Sequence, residues 1–340
     1  MRTWQLNAYN INDLKIEDKP VPKIVNQSDV LIQMKSASLN FRDLIMIDGG
    51  YGPTGGDIPF VPISDGSGIV IETGDSVKKF KKGDIVTIPF FKDWDSGDIS
   101  QNTYLSALGG LVDGVMRDYI VYSENKIVKA PDKWNCNEAS TLPCAALTAW
   151  RTIVTEGKIS NKSTVLVQGL GGVSIFAIQI AKLFNANVIA TTSSNKRVEL
   201  AKKFGADYVI NYNEDKEWWK KVQKITDRKG VDIVVEVGGS ETLEQSIKSS
   251  KVGAVIGIIG VLSGGIANLP IGRVIFKASR LIGITCGNQE ELHSMVDKFN
   301  ESDVRPIIDS TFSFDSLPSA LKYMKTGKHL GKIVIDFDKV

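Results

Sequence analysis

Histidine and cysteine are scarce in this 340-residue chain, which has two of the first and three of the second. Cys136, Cys144 and Cys286 make neither a disulfide framework nor a CxxC metal knuckle. With only His293 and His329, neither beside a nucleophile-elbow motif, Ser–His–Asp chemistry is disfavoured. No stretch reaches the roughly 18 apolar residues of a membrane span, and the opening MRTWQLNAYNINDLKIEDKP has no apolar leader. Charge of one sign is not in excess either. A formal net charge of +2 gives no support to nucleic-acid binding, which draws on a concentrated basic face. The expectation is a reduced, cytoplasmic protein with no membrane or nucleic-acid partner, long enough for two domains.

The informative stretch is Val165–Lys182, VLVQGLGGVSIFAIQIAK. Val165 to Val167 favour a strand, and Gly169-Leu170-Gly171-Gly172-Val173-Ser174 follows at once. Val173, Phe176, Ala177, Ile180, Ala181 and Phe184 then recur at three- and four-residue spacing, lining one helical face. Strand, glycine turn and amphipathic helix open a dinucleotide-binding βαβ unit. Gly169 permits the tight turn, and Gly171 and Gly172 let backbone approach a pyrophosphate at the helix N-terminus. Ser174 stands at the third fingerprint position, where a small residue still packs helix on strand.

Either side of this unit the pattern differs. Residues 1 to about 130 read as short strands (29–36, 68–73, 83–89, 119–122 and 126–129) separated by glycine turns, which suggests a folded-over barrel or sandwich. The run Lys78-Lys79-Phe80-Lys81-Lys82 reads as a solvated turn, and 91–113 as a long, polar, irregular loop on the surface or over a cleft. A helix is expected over Asn137–Thr155, kinked at Pro143. Six strands, at 165–168, 187–192, 208–211, 232–237, 253–260 and 280–285, then alternate with helices, the pattern of a doubly wound parallel sheet. Trp218-Trp219 belong to one of those helices and are assigned to packing. Helices near 289–300 and 316–326 and a last strand at 332–337 finish the chain. That strand has no sheet of its own beside it, so it returns to the first domain.

The second strand ends Thr191-Thr192-Ser193-Ser194-Asn195-Lys196-Arg197, with no carboxylate to accept ribose hydroxyls. Small hydroxyls at Thr192, Ser193 and Ser194 before Lys196 and Arg197 suit a 2′-phosphate, so NADP(H) is favoured over NAD(H). The competing reading makes Lys196 and Arg197 solvated residues of the next helix's first turn.

Nearly the whole chain resembles the medium-chain dehydrogenase/reductase superfamily. The matching stretches, in order, are SASLNFRDLIMIDGGY (36–51), FVPISDGSGIV (60–70), VKKFKKGDIV (77–86), STLPCAALTAW (140–150), VLVQGLGGVS (165–174), KKFGADYVINY (202–212), VVEVGG (234–239) and GKIVI (331–335). The resemblance is to its zinc-free quinone-oxidoreductase-like and alcohol-dehydrogenase-like members. It implies a Rossmann sheet over 131–287, inserted into a split, β-rich GroES-like catalytic domain of 1–130 plus 288–340. It also implies a small-molecule substrate and a homodimer or homotetramer.

Zinc-using members place a cysteine where this chain has Asn40, and Gly-His-Glu where it has Ile63-Ser64-Asp65. Of the usual ligands only Cys144 stands in a matching position, and one thiolate without a histidine holds no zinc. The segment 91–113, where a structural-zinc lobe would fall, has no cysteine. No metal is therefore expected. The resemblance points to Asn40 and Tyr51 as donors to the substrate oxygen, with Asp65 as a third catalytic candidate, while Arg42 and Asp43 are read as a structural ion pair. It places Thr148 near the nicotinamide and Tyr212 near the adenosine end. Gly260, Val261 and Leu262, within 257–262, would wall the nicotinamide together with Cys286 and Asn288. The expected reaction is hydride transfer to a small enone, quinone or carbonyl. An alcohol or aldehyde dehydrogenase, or a nucleotide-binding protein with little catalysis, stands as the alternative.

Overall fold

The computed structural model describes residues 1–50 and 55–339. Two compact units emerge: Met1–Leu147 with Cys286–Val340, and Thr148–Thr285.

In the second unit six strands run parallel: Thr164–Gln168, Asn187–Thr192, Tyr208–Asn211, Val231–Glu236, Ser250–Ile258 and Arg280–Gly283. Their spatial order is third, second, first, fourth, fifth, sixth, so the direction of winding reverses beside the first strand. Val165, Leu166 and Val167 are wholly buried, as strands covered on both faces require. The helix Gly172–Leu183 packs through Phe176, Ala177, Ile180 and Ala181. Trp218 is buried, and the half-exposed Trp219 lies under the ammonium groups of Lys220 and Lys248 at 5.7 and 5.5 Å. Packing is what both indoles do.

The first unit has a seven-stranded sheet. Its path runs Ile308–Ser313, Lys332–Asp336, Asp29–Ser38, Asp65–Thr73, Ile85–Thr87, Val128–Lys129, with Tyr119–Ser123 pairing Asp29–Ser38 off that path. The returning strand Lys332–Asp336 is antiparallel to Asp29–Ser38, with Val334 opposite Ser38. The hairpin Arg2–Leu6/Leu14–Asp18, the helix Phe41–Ile47 and the strand Ile308–Ser313 lack a sequence signal strong enough to announce them.

Three local expectations need amending. The single kinked helix over 137–155 is instead an α turn at Cys136–Ala139, a π-helical turn at Leu142–Ala146, an α turn at Leu147–Trp150 and a π-helical stretch at Arg151–Glu156. Pro143 falls in the first turn of the π segment, where its missing N–H breaks no ladder. The segment 91–113 is irregular but not simply a polar surface loop. Phe91 and Trp94 are buried, with rings edge to face at 5.8 Å, and Ser100 caps a short helix at Gln101–Tyr104. The strand at 83–89 shortens to Ile85–Thr87. The lysines of the 78–82 turn behave as read: backbone N–H groups of Lys78 and Lys79 donate to Glu124 at 2.9 and 2.8 Å, with the side chains outside.

Candidate functional site

Two residue constellations, one in each unit, carry chemistry. In the second unit the strand Thr164–Gln168 ends in the glycine turn. Gly169 has φ +70°, a left-handed conformation that glycine adopts freely, and its N–H donates to Thr191 O at 2.8 Å. Nothing lies within 4 Å of where a β-carbon would stand at Gly169 or Gly171. Gly171 caps the helix without any side-chain acceptor for the first-turn N–H groups. The turn is thus an open cradle of backbone donors at a positive helix end, which fits a pyrophosphate. Gly172 and Val173 form the half-buried first turn, whereas the Ser174 hydroxyl points away and donates to Gln168 O at 2.7 Å.

Gln168 is locked from behind. Its Nε2 donates to Glu236 Oε2 at 2.6 Å and to Ser246 Oγ at 2.7 Å, and its Oε1 accepts from Gly238 N at 3.1 Å. The wholly buried Glu236 carboxylate also accepts from Gly238 N, Gly239 N and Thr242 Oγ1 at 2.9, 3.0 and 2.5 Å. This buried carboxyl is held by neutral donors, and the satisfied network stiffens the floor of the turn. Nothing local in the sequence marks Glu236, a carboxylate in an apolar strand.

At the end of the second strand, Thr192 Oγ1 is buried without a hydrogen-bond partner. Ser193 and Ser194 are half-buried, and Ser194 caps the helix Asn195–Lys203 by accepting from Arg197 N. Lys196 is exposed and Arg197 half-buried. A carboxylate the sequence reading missed lies close by: Glu214 accepts from Asn195 Nδ2 at 2.7 Å and from Asn211 Nδ2 at 3.1 Å. Tyr212, 38% exposed, follows the third strand, and its N–H donates to Thr192 O at 2.9 Å. Gly260 leaves no room for a side chain, since a β-carbon would meet Val237 O at 2.2 Å, and Val261 and Leu262 are exposed beyond it. Thr148 is buried.

In the first unit Asn40, Asp43, Asp65, Cys144 and Lys332 converge. Asn40 precedes the helix Phe41–Ile47, and its N–H donates to Asp43 Oδ2 at 2.7 Å. Lys332, only 3% exposed, donates from Nζ to Leu39 O at 2.6 Å and to Asn40 Oδ1 at 2.5 Å. Asn40 Nδ2 is buried on the side of the Asp65 carboxyl without a well-directed hydrogen bond. Asp65 opens the strand Asp65–Thr73 and is fully buried. Its Oδ1 accepts from Ser64 Oγ at 2.8 Å and its Oδ2 from Cys144 N at 3.1 Å. Burial raises the Asp65 carboxyl above the ordinary range, while the Lys332 charge and the Asn40 amide pull the other way. Burial likewise pushes Asp43 up to about 6, against the pull of Arg42 at 3.8 Å. The Arg42–Asp43 pairing is thus present, but Asp43 also anchors Asn40.

Cys286 is buried at φ +114°, with Sγ bonded to Pro143 O at 3.0 Å. Asn288 caps the helix Gln289–Asn300. Its Oδ1 accepts from Glu291 N at 2.8 Å and its Nδ2 donates to Gly97 O at 3.3 Å, so its amide is spent internally. Tyr51 lies outside the described residues. Among the described residues no three His, Cys, Asp or Glu side chains gather as a metal-binding group.

A dinucleotide-binding sheet joined to a β-rich unit carrying a buried polar cluster defines an oxidoreductase of two-part construction. Comparison with known proteins makes the class specific. Residues 26–132 match the alcohol dehydrogenase GroES-like domain, and residues 172–301 match the zinc-binding dehydrogenase family. A zinc-type alcohol dehydrogenase-like protein of Schizosaccharomyces pombe is 39% identical over 96% of both chains. A 2-methylene-furan-3-one reductase of Solanum lycopersicum is 31% identical over 98% of this chain and 79% of its own. A solved NAD-dependent alcohol dehydrogenase superposes with TM-score 0.89 at 30% identity, over 99% of each chain. The chain belongs to the medium-chain dehydrogenase/reductase superfamily and is an oxidoreductase of that nicotinamide-dependent family. No helix among the described residues is long and apolar enough to cross a membrane.

Proposed function

We propose an NADP(H)-dependent oxidoreductase that works without zinc and delivers hydride to a small enone, quinone or related carbonyl. The observation carrying this reading is the donor set of the first unit: an amide, a hydroxyl, a buried carboxyl and one thiol, with an ammonium ion bonded among them. Zinc does not fit that set. It would have to replace a histidine with Ser64, use an amide already engaged by a cation, and sit beside Lys332. Asn40 and Asp65 suit the reduction of a polarised double bond. A bound nicotinamide supplies the hydride. Asn40 Nδ2 donates to the oxygen that gathers negative charge, and Asp65, whose raised carboxyl keeps a proton more readily, is placed to return one. The sequence assigns Tyr51 as a second donor.

On the cofactor side, Gly169, Gly171, Gly172 and Val173 take the pyrophosphate, with Ser174 fixing helix to strand. Lys196 and Arg197, with Ser193 and Ser194, face the 2′-phosphate. Thr148, Tyr212, Gly260, Val261, Leu262, Cys286 and Asn288 keep the shaping roles given by the family pattern, the last two through backbone. Tenfold or greater preference for NADPH over NADH in a fluorescence titration of chelator-treated protein supports the reading, as does turnover of 3-buten-2-one or 1,4-benzoquinone that added zinc does not raise. Equal binding of NADH removes the phosphate assignment. Cofactor binding with no turnover of any enone, quinone, alcohol or aldehyde favours a nucleotide-binding protein instead.

A homodimer or homotetramer is part of the same proposal. Ile266, Ile271, Ile275 and Phe276 are 94, 63, 73 and 81% exposed, near the edge strand Arg280–Gly283, and such an apolar face calls for cover. Sedimentation of wild type beside Phe276→Asp tests it, a shift to monomer being the expected result.

A further inference from the structure

Lys332 stands out as a nearly fully buried cation whose role neither the family motifs nor the charge pattern assigns. A buried ammonium ion costs several kcal/mol unless it is well partnered, so its partners define what it is for. They are the carbonyl of Leu39, the amide oxygen of Asn40 and, through space, the carboxyls of Asp65 and Asp43.

The amide matters most. An asparagine side chain can present either its oxygen or its nitrogen to a neighbour, and nearby groups decide which. An ammonium ion has three donors and no acceptor, so only Oδ1 of Asn40 can face it. Nδ2 is thereby turned the other way. There it lies buried on the side of the Asp65 carboxyl, which it helps to hold down, but forms no well-directed hydrogen bond, which costs about 1–3 kcal/mol unless a ligand oxygen completes it. The backbone of Asn40 is fixed separately by Asp43, so the amide can swing only about its own side-chain torsions, and Lys332 stops that swing.

Resting on the reading that Asn40 donates to the substrate oxygen, we infer that Lys332 is the positioning residue of that donor. It fixes the Asn40 amide with Nδ2 toward the ligand and places a fixed positive charge behind it. In a water-poor site such a charge polarises the amide and strengthens its N–H toward an anionic oxygen. The ligand class is accordingly an enolate- or phenolate-like anion. Lys332 acts through Asn40 and does not touch substrate. The competing role, neutralising Asp65 and Asp43 to keep the unit folded, predicts a loss of stability and no selective loss of anion binding.

The probe is 4-nitrophenolate, whose absorbance reports binding of the anion without turnover, titrated into the NADP⁺-loaded protein. Lys332→Met keeps the volume of the stem and removes the charge, while Lys332→Ala leaves room for an added alkylammonium ion. The expected result is phenolate binding by wild type, about tenfold or more weaker in Lys332→Met, with the NADPH dissociation constant near wild type. Ethylammonium should restore binding to Lys332→Ala and leave Asn40→Ala unaffected. Wherever wild type turns over 3-buten-2-one, kcat should fall about 100-fold in Lys332→Met and recover with the amine in Lys332→Ala.

Phenolate affinity equal in wild type and Lys332→Met overturns the inference, even if enone turnover is found. Failure of wild type to bind phenolate also overturns it. Should Lys332→Met not fold, amine rescue of Lys332→Ala decides, and absence of rescue overturns the inference. Phenolate binding that depends on Lys332, in a protein inactive toward every enone and quinone, keeps the inference and removes the proposed reaction.

Discussion

The two units build their chemistry from different materials. In the second, the cradle is backbone: glycines, free N–H groups and a helix end, buttressed by a satisfied network around Glu236. In the first, the candidate centre is side chain, with a buried amide, two buried carboxyls and a buried ammonium compensating one another. Backbone sites tolerate change wherever the chain path survives. Charge-compensated sites do not, because removing one member leaves the others buried and unpaired. The lesson is that dinucleotide binding and catalysis should separate cleanly under mutation.

The sharpest test of that separation is Asn40→Ala. Loss of a donor to a developing oxyanion costs about 10²–10³ in rate. We expect kcat with 3-buten-2-one to fall by that factor while the NADPH dissociation constant is unmoved. A parallel loss of cofactor binding would break the comparison. The reciprocal change is Gly171→Val, which puts a side chain into the empty space above the turn. Two backbone contacts to phosphate lost at ~1.5 kcal/mol each predict about 100-fold weaker NADPH binding in a titration, with the thermal midpoint near wild type. Smaller again is the effect of replacing Lys196 and Arg197 together by alanine. NADPH binding should weaken about tenfold and NADH binding hardly at all, since only the 2′-phosphate would be deprived of cations.

The smallest functional effect, and one confined to the first unit, is that of Asp43→Asn. The folded carboxyl titrates near 6, above its unfolded value of 3.8, so the folded state keeps the proton longer. Stability is therefore fully present below the unfolded value and is lost as pH rises through about 4 to 6, by about 3 kcal/mol. Asp65, also raised, adds in the same direction. The variant should flatten that part of a thermal-midpoint-against-pH curve and leave cofactor affinity alone. An unchanged slope would place the dependence elsewhere.

The same contrast explains what could be read from the sequence. The glycine turn, its helix and the six parallel strands are local patterns, so Val173, Phe176, Ala177 and Ile180 announce themselves by spacing. The first unit's sheet was legible as short strands and turns. Its first hairpin was not, nor was the packed interior of 91–113, where Phe91 and Trp94 are spaced too irregularly to mark a face. Asn40 and Asp65 came from the family resemblance, because no local rule makes a lone amide a donor. Lys332 sits in an apolar strand and looks like an edge charge until the strand is placed against Asp29–Ser38, 292 residues from the amide it holds. Glu214 and Glu236 were hidden because each joins near neighbours, Asn211 for the one and Gly238, Gly239 and Thr242 for the other, to a residue of another strand or helix, Asn195 and Gln168, that only the fold brings close.

That long separation also has a meaning in time. Chains emerge from the ribosome in order, and domains tend to fold as they appear. The second unit, closed at Thr285, can assemble while Lys332 is still unmade, so its glycine cradle can form before the Asn40 amide has its lysine partner. Until the strand Lys332–Asp336 docks, the Asn40 amide lacks the ammonium that fixes its orientation.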